Sequence, residues 1–187
     1  FASNMMAIDE ARSGDGSSNA PPYAEPRSIT AIEDCYFYHT MDIPGHGVVE
    51  GEWDLRGSID DYLGHYDFAG RRVLDVGAAS GILSFHVEQR GADVVSYDLS
   101  ENYDWDIVPF SENDNDATRA SRRAHLRKIN NGYWLCHKAF NSRAHMVNGV
   151  VYDIPQSIGE VDVTIFGSIL LHLRDPFLAL ENGARLR

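Results

Sequence analysis

The sequence predicts an α/β fold in which a mostly parallel sheet carries helices on both faces. From residue 71 onward, short apolar runs alternate with segments of helical periodicity, which is the order of successive βαβ units. A loop of small residues follows the first apolar run, and the second run ends in an aspartate. In a parallel sheet such strand ends gather at one edge, where ligands bind.

Four strands and several helices are expected in this part of the chain. The strands are predicted at 72–76, 93–98, 150–153 and 161–166. A helix is predicted over 80–90, with Ile82, Phe85 and Val87 facing the sheet. The last helix is expected to begin with Asp175 as N-cap and Pro176 at its first position.

A polar insert separates the second and third predicted strands, and it spans residues 101–149. It predicts one helix over 117–129 and another around 133–140. In the first of these, Arg119, Arg123 and Arg127 share one face at i, i+4 spacing. Such a face is either simply solvated or a grip on an anionic substrate such as an RNA backbone.

The chain divides into three predicted parts. Residues 1–30 are rich in small and polar residues and are predicted to form a flexible tail. Residues 31–70 are predicted to form an N-terminal cap, with aromatic residues at 36–38 and a short helix capped by Ser58. Residues 71–187 hold the sheet.

The composition and net charge limit the classes of function that the chain can have. The chain has 187 residues, 43 % hydrophobic and 24 % charged, as in a soluble globular domain without a membrane span. Two cysteines and no zinc-ligand spacing favour a reducing cytoplasm and no metal centre. The formal net charge of −12 disfavours binding to nucleic acid unless a local basic patch overrides it.

The loop after the first predicted strand carries the main chemical signal. Gly77 and Gly81 bracket three small residues, a spacing that fits neither G-x-G-x-x-G nor a P-loop. Asp75 precedes the loop by two residues, and its carboxylate would repel a pyrophosphate. It suits a ligand with an ammonium and a sulfonium, and S-adenosylmethionine (SAM) carries both. The alternative is that Asp75 only caps the loop.

Two further aspartates are expected at strand ends. Asp98 lies 23 residues after Asp75, where a carboxylate can accept from both ribose hydroxyls of a nucleotide. Asp153 could accept from an adenine amino group while Ile154 packs on the ring. Asp153 is equally well explained as a turn residue before Pro155.

From Tyr38 to its C-terminus the chain resembles the class I SAM-dependent methyltransferases, which have a Rossmann-like fold. The stretch VLDVGAASG at 73–81 is similar to their SAM-binding loop, with Ala79 in place of the middle glycine. The resemblance implies SAM as cofactor and a set of cofactor-binding residues: Asp75, Gly77, Ala78, Ala79, Gly81, Asp98, Leu99, Asp153, Ile154 and Gly167.

The family fold also implies seven strands, whereas only four can be counted here. The domain is therefore expected to be truncated after the fourth strand, to pair with another chain or to be a degenerate relative. A homodimer through the exposed sheet edge is one expectation. The stretches at 38–43 and 51–56 resemble, more loosely, a subgroup of small-molecule methyltransferases and tRNA wobble-uridine carboxymethyltransferases.

The acceptor side is predicted from single residues. His172, just past the fourth strand, is the first candidate for a general base, and His39 in the cap is the second. Trp53 is either a core residue or a stacking wall, and Arg56 pairs with a carboxylate of ligand or protein. The expected activity is methyl transfer to a small molecule. The alternatives are an RNA-modifying methyl or carboxymethyl transferase and a non-catalytic SAM-binding partner.

Overall fold

The computed structural model describes residues 22–108, 110, 112 and 114–187 of the chain. The strands are β1 (Met41–Ile43), β2 (Gly47–Val49), β3 (Arg72–Val76), β4 (Asp93–Asp98), β5 (His145–Asn148) and β6 (Val163–Phe166). The α-helices are α1 (Ile59–Tyr62), α2 (Ile82–Gln89), α3 (Asp116–Ala139) and α4 (Pro176–Ala184).

A four-stranded parallel sheet, in the order β5-β4-β3-β6, forms the centre of the molecule. The strand order therefore reverses between β3 and β6, because the chain first builds outward through β4 and β5 and then returns to the other side of β3. In open α/β sheets, ligands bind in the crevice outside the carboxyl ends of the strands at such a switch point. The fold thus places the glycine loop after β3 at that crevice.

Apolar residues on the two faces of the sheet belong to two cores. Val73 on β3 packs with Phe85 of α2 and Tyr133 of α3 on one face. Leu74 on the same strand packs with Val147 and with Ala179 of α4 on the other. The predicted α/β class with helices on both faces is therefore confirmed.

The third strand lies earlier than predicted. The prediction over 150–153 is wrong, because β5 covers His145–Asn148 and the chain turns at 151–152. The turn is held by Tyr97, whose hydroxyl donates to Val150 O over 2.9 Å. Asp153 and Ile154 therefore lie in the loop beyond β5 rather than at a strand end.

The two helices predicted in the insert are one helix of 24 residues, α3. Its interior glycine, Gly132, has a packing reason, since a Cβ there would lie 2.9 Å from Tyr36 O and 3.5 Å from the Ser80 side chain. Although α3 is long, no helix in the described part of the chain is both long and apolar enough to cross a membrane. At the last helix the predicted cap is confirmed, because the Asp175 side chain accepts from Leu178 N over 3.0 Å.

The N-terminal segment from residue 22 is packed against the sheet. Residues 1–21 of the predicted tail lie outside the described residues. Tyr23 stacks on His145 with ring centroids 4.1 Å apart, and Ala24 N donates to Met146 O over 2.7 Å. Tyr23 and Ala24, in the last part of the predicted tail, thus contact β5, and the division of the chain at residue 30 stays a prediction. This segment pairs with β5 in part, while a homodimer through a sheet edge stays a prediction.

Candidate functional site

The loop between β3 and α2 is built for close approach by a ligand. Gly77 has φ +80°, and a Cβ there would come within 2.8 Å of the Ile169 side chain. Gly81 has φ +90° and lies directly against the Phe85 ring. Ala79 adopts φ +49°, a left-handed conformation that costs an L-residue roughly 1–2 kcal/mol. The loop keeps the conformation of a glycine at that position although an alanine occupies it.

Asp98, at the carboxyl end of β4, holds this loop in place. Its Oδ2 accepts from Ala79 N over 2.6 Å, and its Oδ1 accepts from Leu99 N over 2.7 Å. Burial raises the pKa of Asp98 to about 6, although both N–H bonds act in the opposite direction. Each carboxylate oxygen has a second lone pair, so Asp98 can still accept from the hydroxyls of a ribose.

Asp75 is 1 % exposed and only half satisfied. Its Oδ2 accepts from Ser84 Oγ over 2.6 Å, while its Oδ1 is buried without a hydrogen-bond partner. Burial raises the pKa of Asp75 to about 6, and the charge of Asp98 adds to the rise. A buried carboxylate oxygen without a partner is costly, and it identifies a place where a donor or a cation would be stabilised.

A chain of buried hydroxyl groups leads to Asp75. Tyr133 on α3 donates to Ser96 Oγ over 2.9 Å, and Ser96 on β4 donates to Ser84 Oγ over 2.7 Å. Ser84 then donates to Asp75, so every proton in the chain is directed toward the carboxylate. Such a chain polarises along its length and stabilises the ionised form. It also fixes the Asp75 side chain with one oxygen left over.

The glycine loop contains a second unsatisfied group, because Ser80 Oγ is buried and without a partner as well. Across the described residues only one further buried side-chain atom lacks a partner, Nδ1 of His39 in the cap. Two of these three unpartnered atoms therefore belong to Asp75 and Ser80, beside and within the glycine loop. The residues present fit a ligand that brings hydrogen-bond donors and positive charge to this loop.

The remaining predicted cofactor residues lie around the same edge of the sheet. Gly167 follows β6, and a Cβ there would come within 2.6 Å of the Leu83 side chain. Asp153 is exposed, whereas Ile154 is 3 % exposed and packs in the core beneath the loop. The adenine role of these two residues stays a prediction.

The two candidate bases differ in environment. His172 is exposed at the end of a short 3₁₀-helix, Leu170–His172. His39 is half-buried, and burial lowers the pKa of its imidazole, so it is neutral at pH 7 with Nδ1 unpaired. The role of each histidine as a base stays a prediction.

On the predicted acceptor side, Trp53 is 65 % exposed and is therefore not a core residue. Arg56 forms a two-pronged contact with Asp54, at 2.9 and 2.7 Å, and is thus already paired with a protein carboxylate.

Each of the three arginines on one face of α3 has an acidic partner. Arg119 lies 2.6 Å from Asp114, as the closest of these pairs. The other two pairs are Arg123 with Asp104 at 3.1 Å and Arg127 with Glu101 at 3.8 Å. The pairing favours a solvated face, because these cations are neutralised within the chain. Nucleic-acid binding through them stays a prediction.

Sequence reasoning missed two features of the loop that follows Asp98. First, Asp106 accepts from Arg174 N over 2.8 Å and from the Tyr152 hydroxyl, which ties this loop to the one after β6. Second, Trp105 contacts the His125 ring with centroids 5.7 Å apart. The acidic residues at 104 and 106 were a signal for the first feature, but the partners of Asp106 lie 46 and 68 residues away.

Comparison with known proteins gives one significant local match in sequence. The chain is 55 % identical over 43 residues to a ubiquinone biosynthesis O-methyltransferase of Azoarcus sp. (strain BH72), which is 23 % of this chain and 18 % of that protein. The chain therefore matches about a fifth of the length of this curated relative. No family model matches the chain.

Two solved structures are similar to the chain at low sequence identity. A candidate RNA methyltransferase from Pyrococcus horikoshii has a TM-score of 0.39 and 20 % identity, covering 68 % of this chain and 51 % of that one. The aminoglycoside resistance methyltransferase NpmB1 has a TM-score of 0.33 and 15 % identity, covering 79 % and 62 %.

The strand order, the glycine loop and the aspartate at the carboxyl end of β4 define a Rossmann-like domain. The local sequence match agrees with the resemblance to methyltransferases that the loop at 73–81 predicts, because the matched protein is named as an O-methyltransferase.

The left-handed alanine of the loop gives a stability prediction. Ala79→Gly should raise the free energy of unfolding by about 0.5 kcal/mol, because relief of roughly 1–2 kcal/mol of backbone strain exceeds the added entropy of the unfolded chain. Ala78→Gly is the matched control, since Ala78 lacks a positive φ and should lose stability. Urea unfolding of both variants measures the difference. Equal destabilisation of the two would contradict the strain at Ala79.

Proposed function

We propose that the chain is the SAM-binding domain of a methyltransferase that acts on a small-molecule acceptor. The observation that carries the proposal is the buried, unpartnered Oδ1 of Asp75 beside the glycine loop. It supports a positively charged ligand at a place where most Rossmann-like domains bind a phosphate. The local match to an O-methyltransferase supports the same choice.

The roles of the residues follow from their positions. Bound SAM would supply a methyl group on a positively charged sulfur. Asp75 would accept from the ammonium group, and the backbone at 77–81 would pass close to the methionine end. Asp98 would accept from the ribose hydroxyls while still holding Ala79 and Leu99. Asp153, Ile154 and Gly167 are proposed to border the adenine.

The choice of donor ligand rests on charge. A dinucleotide would bring a pyrophosphate close to Asp75, whose ionised carboxylate would repel it. The charge of Asp98 adds to the rise in the pKa of Asp75, so the crevice already holds two neighbouring acids. A cationic ligand relieves this repulsion, whereas an anionic ligand increases it.

A small-molecule acceptor is supported by the surface charge. The net charge of −12 and the acid-paired arginines of α3 leave a surface that attracts polyanions weakly. The half-buried His39, neutral and with a free nitrogen, is proposed as the group that accepts the acceptor's proton. His172 is the exposed alternative.

The test is a calorimetric titration of the 187-residue chain with SAM, and with NAD⁺ in a parallel experiment. SAM should bind saturably at one site, and NAD⁺ should not bind, because its pyrophosphate faces Asp75. Binding of NAD⁺ but not of SAM by a folded chain would contradict the proposal. SAM binding without methyl transfer to any small molecule would instead favour a non-catalytic module.

A further inference from the structure

An aromatic cluster borders the crevice on the side of the N-terminal cap. It consists of Tyr36, Tyr38, Trp105 and His125, which are all half-buried. Ring centroids are 4.4 Å apart for Tyr36 and His125, 5.2 Å for Tyr36 and Tyr38, and 5.7 Å for Trp105 and His125. The cluster joins the cap, the loop after β4 and helix α3.

The cluster lies beside the glycine loop. A Cβ on Gly132 would touch both Tyr36 O and the Ser80 side chain, so the cap passes within a residue's width of Ser80. Tyr38 is close enough to Asp98 for that charge to add to the rise in the tyrosine's pKa, which burial dominates. Trp105 belongs to the loop that follows Asp98. Each aromatic segment is thus connected to a residue proposed to hold SAM.

An open cleft of about 450 Å³ adjoins the cluster at Tyr36. The cleft is lined by the apolar residues Ile32, Phe37 and Val49 and also by Glu52. The Tyr36 hydroxyl donates to Glu52. The space is of the size that small organic ligands occupy, and the aromatic cluster adjoins one side of it.

The charges around the cluster disfavour an anionic ligand. Glu52 and Asp98 lie near its tyrosines, and Asp104 beside Trp105 is already paired with Arg123. Lys128, near His125, is the cation that opposes them. Burial and Lys128 lower the pKa of His125 more than Glu52 raises it, so this ring is neutral at pH 7.

From this arrangement we infer that the cluster of Tyr36, Tyr38, Trp105 and His125 is the acceptor-binding platform, and that the acceptor is a planar aromatic ring without an anionic group. Aromatic side chains stack on such a ring and exclude water from it. The neutral His125 can exchange a hydrogen bond with a hydroxyl or amine on the ring. This inference rests on the proposed methyltransferase function, because it names the substrate class of that same site.

The experiment uses catechol as the neutral probe and 3,4-dihydroxybenzoate as the same ring with a carboxylate. Both are titrated into the full chain with SAM present, and binding is followed by tryptophan fluorescence and calorimetry. Catechol should bind at least about fivefold more tightly than the benzoate. Trp105→Leu and Tyr38→Leu should each weaken catechol binding by about tenfold and leave the Kd for SAM within threefold.

Tyr66→Leu is the matched control, because it removes an exposed ring outside the cluster and should leave both affinities unchanged. The inference fails if the benzoate binds as tightly as catechol or if the two cluster variants behave like Tyr66→Leu. It also fails if SAM binds but catechol does not, or if Trp105→Leu weakens binding of a uridine-rich RNA oligomer instead. If the unmodified chain does not bind SAM at all, the proposed function itself is overturned.

Discussion

Asp98→Ala should weaken SAM binding by more than about 100-fold. In the ligand-free chain the carboxylate accepts from Ala79 N and Leu99 N at 2.6 and 2.7 Å, so its removal leaves two N–H groups at the crevice unpaired. Hydrogen bonds to charged groups contribute about 1.5–3 kcal/mol each, and 1.4 kcal/mol is tenfold in affinity. The variant loses this support of the loop together with the proposed ribose contacts. Calorimetric titration with SAM measures the change.

Asp93→Ala is the matched control for this experiment. Asp93 lies at the opposite end of the same strand and forms an exposed ion pair with Arg72 at 3.2 Å. Its loss should change the free energy of unfolding by less than about 1 kcal/mol and leave SAM binding unchanged. SAM affinity within threefold of the unmodified chain in Asp98→Ala would show that the ligand does not use the end of β4.

The strands beside the glycine loop could be predicted because their local signals agree. β3 and β4 are mostly apolar runs that each contain one buried polar residue, and their observed bounds match the predicted ones. The third strand could not be predicted in the same way, since β5 has only Met146 and Val147 between polar ends. The stronger apolar pair at 150–151 lies in the turn, where Tyr97 holds the backbone.

Helix α3 shows how tertiary contacts override local preference. The sequence Asn130-Asn131-Gly132 has low helix propensity and lies between the two predicted helices. Asn130 instead donates to Leu99 O over 3.0 Å, and Asn131 donates to Asp34 O over 3.0 Å. Gly132 allows the cap to pass close by. Each of these residues is explained by a partner that is distant in sequence.

The candidate site was predictable in its positions but not in its hydrogen bonds. Asp75 and Asp98 were predicted from strand ends and spacing alone. The hydroxyl chain behind Asp75 draws on Ser84, Ser96 and Tyr133, which come from a helix, a strand and a second helix. No sequence interval relates these three residues, so their convergence on one carboxylate depends on the packing of the fold.

SAM affinity should rise by about fivefold between pH 5 and pH 6, by about tenfold between pH 5 and pH 7, and level off above pH 7. The pKa of Asp75 is about 6 in the ligand-free chain, against about 3.9 in an unfolded one. A ligand ammonium prefers the ionised carboxylate, so binding below pH 6 must release the proton. Calorimetry at pH 5.5 in two buffers of different ionisation enthalpy should therefore show proton release on binding.

The raised pKa of Asp75 also makes stability depend on pH, in the direction opposite to SAM affinity. Between about pH 4 and 6 the folded chain binds more protons at Asp75 than the unfolded chain does, so the free energy of unfolding falls as pH rises through this window. The stabilisation is fully present below about pH 4 and lost above pH 6, and it amounts to about 3 kcal/mol. Asp98, whose pKa is also raised to about 6, acts in the same direction.

The Asp75→Asn variant distinguishes the contribution of Asp75 to SAM binding from that of Asp98. The amide oxygen can still accept from Ser84, so the variant should fold, but it has no charge to offer the ligand. SAM should bind at least about tenfold more weakly at pH 7.5, and fewer protons should be released at pH 5.5, with Asp98 supplying the remainder. If proton release and affinity in Asp75→Asn equalled those of the unmodified chain, the free oxygen of Asp75 would not face the ligand. The pH dependence also distinguishes a buried acid in the ligand site from one that only stabilises the fold. A purely structural acid would make stability depend on pH but would leave SAM affinity independent of pH.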